Sequence, residues 1–267
     1  MEFWWAFLLL GAAVGFFAGL LGVGGGGMMV PVLTSLFIAL EFADSQQVHL
    51  ALGTSMAAII MTSFASARSH QQHQAILWPA VKGLSPGVIV GTFAVSFIAS
   101  ALPTLPLVIF FSCFMTLVAF QLMSNYKPKP TRQLPGSIAL SGVGLMIGGI
   151  SALVAIGGGT LTVPFLTWCN VKIQHAIATS AAVGFPIAVA GTLGYVVAGW
   201  DAQDLPLGSL GYVYLPAVVL ISIVSFFTAP LGAKLAHRLP VATLKKIFAL
   251  LVMALSLKML HAVLATE

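Results

Sequence analysis

Long apolar stretches fill nearly the whole sequence, and they restrict the chain to a membrane-embedded fold. Several reach the roughly 20 apolar residues that an α-helix needs to cross a bilayer. Only 6% of the residues are charged, whereas soluble chains carry roughly 25%. We therefore predict an all-α polytopic membrane protein with no second domain of ordinary size. The apolar segments lie at 3–23, 28–40, 48–67, 78–101, 105–124, 136–156, 160–170, 173–198, 211–231 and 243–264.

Two glycine runs interrupt these segments at matching places. Gly24–Gly27 precedes Pro31, and Gly157–Gly159 precedes Pro164. Consecutive glycines destabilise a helix, so each run predicts a break. Backbone can leave helical geometry at membrane depth only where protein or a water-filled cavity covers it. The duplicated breaks therefore mark the predicted substrate site.

The order of small residues and prolines indicates an internal repeat. One constant offset of 133 carries Gly11 onto Gly144, and it also superposes the two glycine runs and their prolines. Further on, VHLALGTS at 48–55 lies over IQHAIATS at 173–180. A shared order of matches favours duplication. We predict repeats at 1–124 and 136–267, joined by a linker at 125–135.

The basic residues predict how these repeats lie in the membrane. Lys and Arg collect in short loops, which the positive-inside rule places in the cytoplasm together with the linker. Segments 28–40 and 160–170 are too short to span. Each repeat then contains one broken, re-entrant hairpin and three crossings, an odd number that inverts the second repeat and leaves both termini external. If each broken segment were one crossing, the repeats would be parallel and the basic region at 234–246 would face out.

The glycine runs predict an anion site built from backbone. Free N–H groups and the positive ends of helices bind anions without a buried cation. Close helix packing is the alternative explanation for the glycines. The hydroxyls of Thr54, Ser55, Thr179 and Ser180 follow each hairpin, but such groups also bond to their own backbone. The predicted substrate-binding residues are Gly24, Gly25, Gly26, Gly27, Met28, Thr54, Ser55, Gly157, Gly158, Gly159, Thr160, Thr179 and Ser180, with His49, Gln174 and His175 as candidate anion contacts or proton relays.

Other chemistry finds little support in the sequence. Gly22–Gly27 matches the G-x-G-x-x-G pattern, but a dinucleotide site needs a strand before it, and both flanks here are membrane helices. Cys113 and Cys169 are too few for a zinc cluster. No Asp or Glu lies deep in a span, which disfavours a cation carrier. We expect no catalytic residues, no metal and no cofactor. We also expect no nucleic-acid partner, since most of the residues behind the net charge of +5 lie in the loops between membrane segments.

The segments GLLGVGGGGMMVPVL and ISALVAIGGGTLTVPFL, each followed by a small-residue helix with Thr-Ser, resemble the TauE/SafE family of sulfite-exporter permeases. The resemblance covers essentially the whole chain. It implies transport of a small sulfur-containing anion, such as sulfite or a sulfonate, across the bacterial inner membrane. We predict a secondary transporter that works by alternating access, with an anion channel as the alternative. The expected partners are the anion, the bilayer and, through lipid-facing surfaces, a second copy in a homodimer.

Overall fold

The computed structural model describes residues 3–22, 25–124, 133–236 and 241–266. In this part of the chain the backbone forms ten helices and one short antiparallel strand pair. The helices are α1 (Trp4–Leu21), α2 (Gly26–Ala39), α3 (Asp44–Gln72), α4 (Trp78–Ala101), α5 (Thr104–Met123), α6 (Ser137–Val154), α7 (Gly159–Trp168), α8 (Ile173–Ala198), α9 (Leu215–Ala236) and α10 (Val241–Thr266), and the strands are β1 (Ser209–Leu210) and β2 (Val213–Tyr214).

Eight of these helices are long and apolar enough to cross a membrane, which confirms the predicted all-α polytopic fold. The 14 residues of α2 and the 10 of α7 are the exceptions. At 1.5 Å per residue both fall short of a hydrocarbon core about 30 Å thick. Large apolar side chains cover the outer surface of the crossing helices; Leu117 is 70% exposed and Phe120 74%. Such a surface suits contact with lipid.

The central helix α3 is longer than its apolar segment at 48–67 predicts. It begins at Asp44 and ends at Gln72. Its polar first turn is stabilised by Gln47, whose Nε2 donates to the Phe42 carbonyl at 2.7 Å and to the Asp44 carboxylate at 2.9 Å. The start of segment 211–231 also differs from the prediction, because its first residues form β2 before α9 begins.

The chain reverses direction at the first break. Helix α1 runs parallel to α9, since Gly11 faces Ile221 and Gly19 faces Ala229. Phe37, near the end of α2, lies edge-on to Tyr214 with the ring centroids 5.7 Å apart. Tyr214 directly precedes α9, so α2 ends at the level where α1 begins. Helices α1 and α2 therefore form a hairpin.

The second break repeats this geometry. Helix α6 runs parallel to α4, with Gly144 against Leu84 and Gly148 against Val88. Leu166, near the end of α7, packs in one cluster with Ala80, near the start of α4. Helix α7 thus returns to the level where α6 begins, and this agrees with the second predicted hairpin.

Each hairpin packs its first helix against the other half of the chain. The contacts of α1 with α9 have the same register as those of α6 with α4. Glycine makes them possible, since a Cβ at Gly15 would lie 2.7 Å from the Ser225 Cα. Between these pairs, α3 and α8 run antiparallel, with Gly53 against Tyr195 and Gly184 against Ser63. The two halves of the chain consequently pack together through close contacts with backbone atoms.

We expect Gly15→Leu to destabilise the protein by about 1–3 kcal/mol or more, because overpacking here meets backbone that cannot move alone. Gly142→Leu is the matched control, since an added Cβ at Gly142 meets no atom within 4 Å. Thermal unfolding of both purified variants in detergent measures the effect. Equal melting temperatures for the two variants would show that α1 does not need this close approach.

Candidate functional site

The two breaks share one backbone conformation. Helix α1 is capped at its C-terminus by Gly22 with φ +68°, and α6 by Ala155 with φ +46°. After each break the next helix is capped by a glycine with positive φ, Gly25 at +80° and Gly158 at +74°. Left-handed backbone favours glycine and costs other residues roughly 1–2 kcal/mol. The glycine runs therefore serve the reversal of the chain, as well as any ligand.

Several amides at the second break have no protein partner. Within the described residues, the N–H groups of Gly157, Gly158, Gly159 and Thr160 donate to no acceptor. The three glycines are buried, and Thr160 is half-buried. Buried backbone donors are nearly always paired. These amides are therefore donors without an acceptor among the described residues.

The first break is similar, with one difference from the prediction. The N–H groups of Gly25, Gly26 and Gly27 have no acceptor in the described part of the chain. The Met28 amide, predicted as a donor, is instead bonded to the Gly25 carbonyl at 3.1 Å, which closes the first turn of α2. Gly24, also predicted here, lies outside the described residues. Met28 itself is buried in the apolar core.

The structure brings the two breaks together. Gly26 touches the carbonyl of Ala155 so closely that any added Cβ would collide with the Ala155 oxygen. Gly27 faces Met115 and Val252, from α5 and α10. Since Gly26 begins α2 and Ala155 ends α6, unpaired amides of one hairpin lie next to the turn of the other.

A serine hydroxyl donates a hydrogen bond to the carbonyl that follows the last residue of α1 and of α6. Ser55 donates to the Ala155 carbonyl at 3.2 Å, and the Ser180 hydroxyl is shared between the Gly22 carbonyl at 3.1 Å and the Ile177 carbonyl of its own helix at 2.8 Å. The bonds to Ala155 and Gly22 each join one half of the chain to the other. The last carbonyls of a helix have no partner within it. These serines therefore satisfy the acceptors at the breaks and leave the donors free.

The neighbouring threonines accept hydrogen bonds from the backbone amides that directly precede α9 and α4. The Thr54 hydroxyl accepts from the Tyr214 amide at 2.9 Å, and the Thr179 hydroxyl accepts from the Leu77 amide at 3.0 Å. All four Thr and Ser side chains are fully buried. Their hydroxyls, which we predicted as direct substrate ligands, all have backbone partners, but Thr54 and Thr179 only accept and so each keeps an O–H to donate. They position the breaks and the adjoining helices.

The three polar residues predicted as anion contacts or proton relays lie away from the breaks. His49 has its ring nitrogens 3.1 Å from the carbonyl oxygens of Ser45 and Leu102. At the other end of the molecule, Nδ1 of His175 lies 2.9 Å from the Ala75 carbonyl oxygen, and Gln174 is exposed. The structure therefore does not bring these side chains together with the glycine amides.

His49 belongs to a separate open pocket of about 460 Å³ at the start of α3. The Tyr212 ring packs against His49 at a tilt of 32°, with the ring centroids 5.2 Å apart. Burial raises the pKa of the Tyr212 phenol above its usual value, so this ring is neutral at physiological pH. The end of α4 and the start of α5 complete the wall.

Sequence reasoning missed two serines beside the breaks. Ser63 and Ser66, on α3, line a cavity that Gly22 and Gly157 also line. The cavity offers about 10 Å³ to the centre of a water molecule, which is room for about one water. Their spacing of three residues on one helix face is the signal that identifies them. Ser66 is 1% exposed, and its hydroxyl has no hydrogen-bond partner in the described structure.

Comparisons with known proteins agree with a transport function. The family described as "Sulfite exporter TauE/SafE" matches residues 7–259. A probable membrane transporter protein of Haemophilus influenzae is 38% identical over 254 residues, which cover 94% of this chain and 96% of that protein. One from Methanocaldococcus jannaschii is 26% identical, with 87% and 86% covered. Bacillus subtilis YdhB, with the same description, is 27% identical, with 89% and 90% covered. No solved structure matches the chain significantly. These relatives are described as transporters and not as enzymes.

We expect Ser55→Ala and Ser180→Ala each to destabilise the protein by about 1–3 kcal/mol, because each leaves a buried carbonyl without its donor. Ser124→Ala is the control, since the Ser124 hydroxyl is exposed and bonds within its own turn to Gln121. The measurement is the melting temperature of each purified variant in detergent. A control variant that melts as early as the two others would contradict the special role of the cross-half bonds.

Proposed function

The chain belongs to the sulfite exporter TauE/SafE family of membrane transporters, and on this premise we propose that it is a secondary transporter for a small sulfur-containing anion. Sulfite, a sulfonate or a related organosulfur anion would bind between the two glycine breaks. The observation that carries this proposal is the imbalance of hydrogen-bonding groups there. Serine hydroxyls donate to the carbonyls at the helix ends, while the amides of Gly25–Gly27 and Gly157–Thr160 have no partner among the described residues.

An excess of free donors favours a negatively charged ligand. The amides lie at the starts of α2 and α7, where the helix dipole adds positive potential. A sulfite or sulfonate group carries three oxygens, which can accept from turns on two separate hairpins at once. A carboxylate carries only two oxygens in one plane. Two converging breaks therefore suit an anion with three or more oxygens, and the family match is what points to a sulfur oxyanion.

The directions of the helices support an inverted arrangement of the two halves. Helix α6 runs with α4, α1 runs with α9, and α3 runs against α8. These are the relative directions that the basic loops predict if the linker at 125–135 is cytoplasmic and both termini are external. Under this proposal the first hairpin enters the bacterial inner membrane from outside and the second from the cytoplasm. Rocking of one half against the other would alternate access to the breaks.

The closed packing at the breaks favours a carrier over an anion channel. The cavity beside Gly22 and Gly157 has room for about one water. An anion cannot pass this point without a rearrangement of the surrounding helices. Flux that saturates with anion concentration supports the carrier, and flux that rises linearly at high unit rates supports a channel.

We expect sulfur oxyanions to raise the melting temperature of the purified protein, because a ligand that binds only the folded state stabilises it. At 100 times the dissociation constant the gain is about 2.7 kcal/mol. Sulfite, thiosulfate, methanesulfonate and acetate are compared at equal ionic strength. Stabilisation by acetate alone would overturn the choice of sulfur oxyanion.

We expect Thr160→Val to reduce anion flux into proteoliposomes about tenfold or more, because a hydrogen bond to a charged ligand is worth about 1.5–3 kcal/mol. Thr167→Val is the control on the same helix, since the Thr167 hydroxyl bonds to the Val163 carbonyl at 2.9 Å. Gly158→Leu, which would crowd Ile187 and strain the positive φ, should abolish flux. Undiminished flux in a folded Gly158→Leu protein would overturn the site.

A further inference from the structure

The second half of α3 carries a buried polar face. Five of its side chains, spaced so that they share one side of the helix, are at most 4% exposed. On the opposite side of the same turns, Met61 is 41% exposed and Phe64 44%, as expected for contact with lipid. The polar face consists of Thr62, Ser63, Ser66, Ser69 and His70.

This polar face begins at the glycine breaks. Ser63 and Ser66 line the small cavity with Gly22 and Gly157. The hydroxyls of Ser66 and Ser69 are buried and have no partner within the described residues. A buried hydroxyl without a partner is costly. Two of them in succession, one turn apart, lead from the cavity toward the end of α3 at Gln72.

The equivalent face of α8, in the other half of the chain, is packed and carries almost no hydroxyls. At the repeat offset of 125 that carries Ser55 onto Ser180, the five positions become Ile187, Ala188, Gly191, Gly194 and Tyr195. There the space is filled, with Met56 against Gly191 and Ser96 against Gly194.

The polar residue His70 and its counterpart Tyr195 nevertheless occupy the same structural place. The Tyr195 hydroxyl donates to the Ala152 carbonyl at 2.9 Å. His70 Nε2 lies 3.2 Å from the Gly19 carbonyl oxygen and donates to it, since a carbonyl can only accept. Gly19 and Ala152 are related by the offset of 133. The two halves therefore make equivalent hydrogen bonds at this place. They differ in the rest of the helix face, which is polar on α3 and packed on α8.

We propose that the polar face of α3 lines the route by which the anion passes between the glycine breaks and the α3–α4 loop, with Ser66 as the first hydroxyl donor that it meets. The proposal rests on the transport function proposed above. In the structure this route is closed down to the small cavity, and the equivalent face of α8 is packed. The basic residues Arg68 and Lys82 flank the loop where the route ends, which places its mouth in the cytoplasm under the positive-inside rule.

Thiol labelling tests the route without requiring transport. Ser66→Cys and Ser69→Cys are introduced separately into a background with Cys113→Ala and Cys169→Ala. An anionic, membrane-impermeant methanethiosulfonate is added to inverted membrane vesicles. Labelling needs the thiolate, which forms in a watered path and not in lipid. We expect both thiols to react at least about tenfold faster than that of Phe64→Cys, the lipid-facing control.

Three results would overturn the route: reaction of the two thiols no faster than the control, equal rapid reaction of all three, or reaction only in right-side-out vesicles. Methanesulfonate, which does not consume the reagent, is then added as a competitor. Slower labelling of Ser66→Cys in its presence supports the route and the proposed anion class together. Rapid labelling that methanesulfonate does not slow supports the route and counts against sulfonates as the substrate, so the two proposals can fail separately.

Discussion

Backbone polar groups at the two helix breaks constrain the whole structure. A broken helix inside a bilayer exposes carbonyls at one end and amides at the next start, and hydrocarbon can satisfy neither. The chain solves half of this problem with Ser55 and Ser180, which donate across the molecule to the carbonyls of Ala155 and Gly22. Within the described residues the amides at both breaks remain unpaired. The proposed anion site depends on these free donors.

Each helix break is surrounded by contacts between the two halves of the chain. The first helix of each hairpin packs glycine to backbone against a crossing of the other half. Thr54 and Thr179 add bonds from the central helices to the starts of α9 and α4. Hairpin, central helix and outer helix are linked in this way, so each half contacts the break of the other. This linkage is the mechanical basis that alternating access would need.

The two halves share this framework but use it differently. On α8 the corresponding positions are apolar or small except for Tyr195, and neighbouring side chains fill the space. On α3 the same positions carry hydroxyls and His70. Burying hydroxyls without partners destabilises the fold, and a packed alternative exists in the same molecule. Thr62, Ser63 and His70 have partners within the protein, so the proposed route has to account for the hydroxyls of Ser66 and Ser69, which have none among the described residues.

The sequence alone determined the membrane class, the two short helices and the position of each break. Hydropathy, glycine and proline act locally, so the crossing helices, α2 and α7 could be predicted from their own residues. The sequence also indicated the importance of Thr54, Ser55, Thr179 and Ser180, but it did not identify their hydrogen-bond partners. Those partners lie 100 to 160 residues away along the chain, and only the tertiary structure decides which carbonyl or amide meets each hydroxyl. The same holds for Ser66, whose missing partner and adjoining cavity exist only once α1, α3 and α8 are packed together.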